Sequence, residues 1–122
     1  MADTGGGDPG TTNADLAALP PELSKQSLSR AKIILPLDAA IQAIDVLAHN
    51  GRRLETWEGW VHMRDGGRAR SLTYGGSFAL PREARRAAET AAAAMRKAKA
   101  AWDRNPEYPG AELWFGLTFG AS

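Results

Sequence analysis

Apolar and polar residues alternate along this chain with two different periods, and the changes of period divide it into elements. The most regular run covers residues 112–119, where Leu113, Phe115, Leu117 and Phe119 alternate with Glu112, Trp114, Gly116 and Thr118. A period of two belongs to a strand with one buried face. Residues 54–63 repeat the pattern, with Trp57, Gly59, Val61 and Met63 on one side and Thr56, Glu58, Trp60 and His62 on the other. Asp65-Gly66-Gly67 supplies the positive φ of a reversal, which predicts that 68–74 returns as the second arm of a hairpin before Gly75-Gly76 breaks it.

Elsewhere the period lengthens. Leu37, Ile41, Ile44 and Leu47 recur at helical spacing behind Pro36 and Asp38, and His49-Asn50-Gly51 suits the helix end. Pro81 fits the first residue of a second helix, in which Ala84, Ala88, Ala91, Met95, Ala98 and Trp102 form one stripe and Asn105-Pro106 the stop. Lys32-Ile33-Ile34-Leu35 halts at Pro36 and predicts a buried strand over 28–35, although 27–32 also suits a helical turn. Residues 1–19 are rich in Gly, Thr, Asp and Asn with little to bury, so they read as a disordered tail before a single domain at 20–122. The element order β-α-β-β-α-β predicts an α+β two-layer sandwich of ferredoxin-like type. Its four-stranded antiparallel sheet would carry two helices on one face. Alanines on the second helix would let it lie close to that sheet.

Composition removes several chemistries. With no cysteine there is no disulfide, thiolate nucleophile or cysteine-bound metal, and no cofactor motif stands in a suitable setting. Gly5, Gly7 and Gly10 spell a dinucleotide fingerprint but lack the strand and helix that make one work. Two distant histidines offer no metal site. His62 and Glu58, on one strand face, stand roughly 13 Å apart at ~3.3 Å per residue, too far for a dyad. His49 fits a helix-end cap, and Ser77 lacks the second glycine of a nucleophile elbow. The chain therefore reads as a non-enzymatic protein, with a small enzyme whose pocket forms between two copies as a remote alternative. No apolar run approaches the ~20 residues of a membrane span, and the first residues do not resemble a secretion signal, so a cytoplasmic location is expected.

What remains is surface. Fifteen basic residues nearly balance fourteen acidic ones, so no strong overall field selects a partner. Locally, Arg82, Arg86, Lys97 and Arg104 on the second helix, with Arg64 and Arg68 on the hairpin, form a candidate nucleic-acid surface. The competing expectation is a solvated helix with Glu83–Arg86, Glu89–Arg85 and Lys99–Asp103 pairs. Residues 57–86 also resemble, without a diagnostic motif, the arm-binding domain of tyrosine recombinases. Strand alternation gives a different candidate. If the apolar rows meet the helices, Trp60, His62, Ser71, Thr73, Trp114 and Thr118 lie on the helix-free face, where tryptophans are typical interface anchors. The favoured expectation is a small accessory protein of inhibitor, immunity or anti-defence type, bacterial or phage. It would bind a protein partner or a second copy through Trp60, His62, Thr73, Trp114 and Thr118; nucleic-acid binding is the alternative.

Overall fold

The longest ladder in the computed structural model joins the two strands whose alternation is most regular. The structure describes residues 12–76 and 80–121. Its elements are α1 (Ala14–Ala17), α2 (Pro21–Ser24), β1 (Ile33–Leu35), α3 (Leu37–His49), β2 (Arg52–His62), β3 (Arg68–Gly76), α4 (Ala84–Arg104) and β4 (Glu112–Ala121). β2 and β4 run antiparallel from Arg52 opposite Ala121 to His62 opposite Glu112, with one shift between Leu54 and Thr56. β3 pairs with the other side of β2 and β1 with the other side of β4, giving the order β1-β4-β2-β3.

The α+β class and the antiparallel four-stranded sheet match the expectation, whereas the ferredoxin-like strand order does not form. The reason lies in strand length. β1 is only three residues long and runs into Pro36, so it is suited to an edge, while the ten- and eleven-residue strands satisfy most backbone groups by pairing with each other. The expected strand over 28–35 shrinks because Ser27 folds the chain ahead of it. Its hydroxyl contacts the carbonyls of Ser29 and Lys32 at 2.8 and 3.1 Å and accepts the Ile34 N–H at 3.0 Å. Leu28 N–H then donates to Ile34 O at 3.0 Å, so both polar backbone groups of Ile34 are met from within.

Inward residues of the strands, among them Trp57, Val61, Leu113, Phe115 and Leu117, share one core with α3 and α4. α3 contributes Ala39, Ala40, Ala43, Ile44 and Leu47; α4 contributes Ala84, Ala87, Ala91, Ala92, Met95, Ala98 and Trp102. The second helix begins three residues later than Pro81 suggests, because Glu83 stands in an extended conformation as its N-cap.

The boundary of the disordered tail also needs correction. Asn13 caps α1 by accepting from Asp15 N and Leu16 N at 2.9 and 3.1 Å, and Leu16, Leu19 and Leu23 are buried at 0, 5 and 4% exposure. Their spacing of three and four places them on one side of the turns that join the core. Asp15 further holds Arg52 at the start of β2 through two bonds of 2.8 and 3.1 Å. Residues 12–19 are thus part of the fold, while the glycine motif at 5–10 and Ser77 lie outside the described residues.

Candidate functional site

Strand pairing arranges the helix-free face in rows. One row runs Arg68, His62, Glu112 across β3, β2 and β4; the next runs Arg70, Trp60, Trp114; a third sets Glu58 beside Gly116 and Ile34. On β2 and β4 their neighbours along the strand are buried core residues, so alternation directs these side chains away from the helices, and Arg68 and Arg70 on β3 follow by pairing; Ile34, at the β1 rim, is itself buried.

Each tryptophan is held by the carboxylate two residues before it on the same face. Trp60 Nε1 donates to Glu58 Oε2 at 3.1 Å, and Trp114 Nε1 donates to Glu112 Oε1 at 3.1 Å. Trp60 lies over Gly116 so closely that a methyl group there would stand 2.6 Å from its Nε1. Above the Trp60 ring, 6.0 Å from its centroid, sits the Arg68 guanidinium, which also donates to Leu28 O at 3.0 Å. The His62 ring meets Trp114 edge-on with centroids 4.9 Å apart, and its Nδ1 is 3.7 Å from Glu112 Oε1.

Glu58 anchors the arrangement electrostatically. Its side chain is only 16% exposed and contacts Lys32 at 3.0 Å and Arg70 at 3.5 Å. Burial alone would raise its pKa, but hydrogen bonds from Lys32 and Trp60 and the charges of Lys32 and Arg70 outweigh burial and hold it below the usual carboxylate range.

Four of the five expected residues, Trp60, His62, Trp114 and Thr118, share this face. Thr73 does not. It lines a cleft of about 260 Å³ on the helix side with Trp57, Tyr74, Lys97, Ala98 and Ala101. Ser71 is also misplaced by the expectation: it packs against Gly59 and hydrogen-bonds Glu107. The five-residue turn at 63–67 decides this. Met63 N–H donates to Gly67 O at 2.7 Å, and the ladder sets His62 opposite Arg68, so Arg70 faces outward and Ser71 inward. A bulge then rearranges 71–74, with Thr73 N–H and Tyr74 N–H donating to Ser71 Oγ at 3.1 and 3.0 Å and Leu72 N–H to Glu107 Oε2 at 3.3 Å. Lys32, Glu58, Arg70, Glu112 and Gly116 were missed as site residues, although the repeated Glu-x-Trp at 58–60 and 112–114 is readable in the sequence.

The basic residues fall into separate groups. Arg82, Arg86, Lys97 and Arg104 are exposed on or beside α4, Arg64 packs against Gly110 in the loop before β4, and Arg68 belongs to the tryptophan face. Of the expected helix ion pairs, Lys99–Asp103 forms at 2.8 Å, and among the described residues Glu83–Arg86 and Glu89–Arg85 do not. His49 Nδ1 lies 2.9 Å from the Asp45 carbonyl one turn earlier, as a helix-end imidazole does. Among the described residues no cluster of three His, Asp or Glu is arranged to hold a metal, and no helix is long and apolar enough to cross a membrane. No protein family, curated protein or solved structure matches this chain.

Proposed function

We propose that this is a binding protein whose working surface is the helix-free face of its sheet and whose partner is a protein. The observation that supports it is the pair Trp60 and Trp114, opposite each other on the central strands, each with its indole N–H fixed by a neighbouring carboxylate. Rings fixed before a partner arrives lose little freedom on docking, and tryptophan is among the residues that dominate interface energies. Such a surface suits a small accessory protein that acts by occupying its target, as an inhibitor, immunity or anti-defence factor does. The test is recovery of the untagged protein with its bound material from its host, in wild type and two variants. A stoichiometric protein, either a different chain or a second copy seen as a doubled mass, that is lost in Trp114→Ala and kept in Arg86→Glu/Lys97→Glu/Arg104→Glu supports the reading.

A nucleic-acid reading has one observation in its favour: among the described residues Arg86, Lys97 and Arg104 form no ion pair and are exposed on α4. It requires sub-micromolar binding that falls steeply with salt and is lost in the triple Glu variant. That result, with Trp114→Ala unaffected, would displace the protein-partner reading.

A further inference from the structure

We infer that the protein this face receives is a second copy of the same chain, docked face to face about a two-fold axis running along the strands between β2 and β4. The inference rests on the binding role of the face and adds the identity of the occupant. Rotation about such an axis exchanges β2 with β4 at constant height. Each side chain then stands over the second copy's version of its own cross-strand neighbour. The cross-strand neighbours here are complementary in kind: His62 with Glu112, Trp60 with Trp114, Thr56 with Thr118, and Glu58 with Gly116. Across the axis these become imidazole to carboxylate, ring facing ring across the Arg68 guanidinium, hydroxyl to hydroxyl, and a long side chain over a glycine, each occurring twice.

Charge supports the same arrangement. Glu112 is 69% exposed, and beside it the imidazole of His62 stays 25% exposed, so each has surface left for a second contact. Trp114 of the second copy would close over the Trp60–Arg68 stack and place the guanidinium between two rings, the favourable geometry for a cation over aromatic faces. Glu58, the carboxylate that docking would desolvate most, already has Lys32, Arg70 and the Trp60 indole as partners, so its charge is not left unpaired. Strands of three, eleven, nine and ten residues at ~3.4 Å rise and ~4.8 Å spacing offer roughly 540 Å² per copy, about 1,100 Å² in all, just above the ~1,000 Å² that a specific interface needs.

Sedimentation of the full chain from about 1 to several hundred micromolar, with Glu112→Lys and His62→Glu variants, tests this. Wild type is expected to dimerise. His62→Glu sets carboxylate against carboxylate across the axis, and Glu112→Lys replaces the acceptor that faces the imidazole with a donor; each should weaken association by about tenfold or more. An equimolar mixture of the two variants should recover a one-to-one dimer, because one contact is native and the other is reversed in both members. A perturbation confined within each chain would not be cured by mixing. A natively folded wild type that stays monomeric throughout, a dimer indifferent to both variants, or a mixture that stays apart overturns the inference. If the monomer still loses a bound protein on Trp114→Ala, the binding role of the face survives without self-association. If face variants change neither association nor capture, both fall.

Discussion

Gly116→Ala is the smallest change that tests whether the tryptophan face is packed as described. The new methyl group would meet Trp60 Nε1 at 2.6 Å, Trp60 Cδ1 at 2.9 Å and Glu58 Cγ at 3.1 Å, against ordinary contacts of ~3.5–4.0 Å. The indole must lift by about an ångström, which breaks its bond to Glu58 and loosens the Arg68 stack. Losing a hydrogen bond to a charged acceptor costs about 1.5–3 kcal/mol, and the crowding itself costs ~1–3 kcal/mol if the ring stays in place. Only one of these penalties applies in full, and replacing a strand glycine by alanine returns about 0.5–1 kcal/mol. The expected net loss is ~1–2 kcal/mol, or roughly 4–8 °C in the thermal midpoint of a chain this size. Urea unfolding, followed by circular dichroism and tryptophan emission, should be run on wild type, Gly116→Ala, Trp60→Ala and the double variant. With the indole gone, Gly116→Ala should become neutral or stabilising by up to about 1 kcal/mol. Equal effects of Gly116→Ala in both backgrounds would refute the packing of Trp60 on this glycine.

Three other outcomes follow from the structure. Leu16→Ala should cost about 2–5 kcal/mol by urea unfolding, since Leu16 is fully buried, and deletion of residues 1–19 should lower the thermal midpoint by more than the single substitution does. Ser71→Ala removes the acceptor of two backbone N–H groups and the hydroxyl that bonds Glu107, so hydrogen exchange at Thr73 and Tyr74 should quicken while α3 amides stay protected. Glu58 is held below its usual pKa of 4.5, so its stabilisation is complete above about that pH and is lost as pH falls through the folded value. Glu58→Gln should therefore be less stable than wild type at neutral pH, with the gap closing as pH falls below 4.5 through the depressed folded value in unfolding curves taken across a pH series.

The sequence made legible those elements whose local pattern is also their global role. The alternation of 112–119 and 54–63, the stripes of α3 and α4 and the Gly66 reversal all survive in the folded chain because each has one face on the core. Strand order was not legible, since it depends on which strands are long enough to share a ladder, and β1 lost most of its length to a loop organised by a single hydroxyl. Leu16, Leu19 and Leu23 were hidden by the glycine- and threonine-rich stretch before them; their spacing was visible, but the window around them was too polar to suggest packing. Trp60, His62 and Trp114 fell on the right face because a strand's parity carries that far. Thr73 did not, because parity across a hairpin depends on turn length, and a one-residue difference in register exchanges the faces.

The sheet's two rims are sealed by different means, and the combination bears on how the chain behaves when concentrated. On β1 the free groups of Ile34 are taken by Ser27 and Leu28, and on β3 the amides of residues 72–74 are turned toward Ser71 and Glu107. Leu72, 93% exposed at the crest of that bulge, is therefore an exposed apolar residue on an edge strand whose amides at 72–74 already have acceptors. Growth by strand addition is obstructed at both ends, whereas a two-fold contact through the broad face consumes that face and stops at two. On each rim one serine hydroxyl, that of Ser27 or Ser71, thus carries part of the barrier to a further strand.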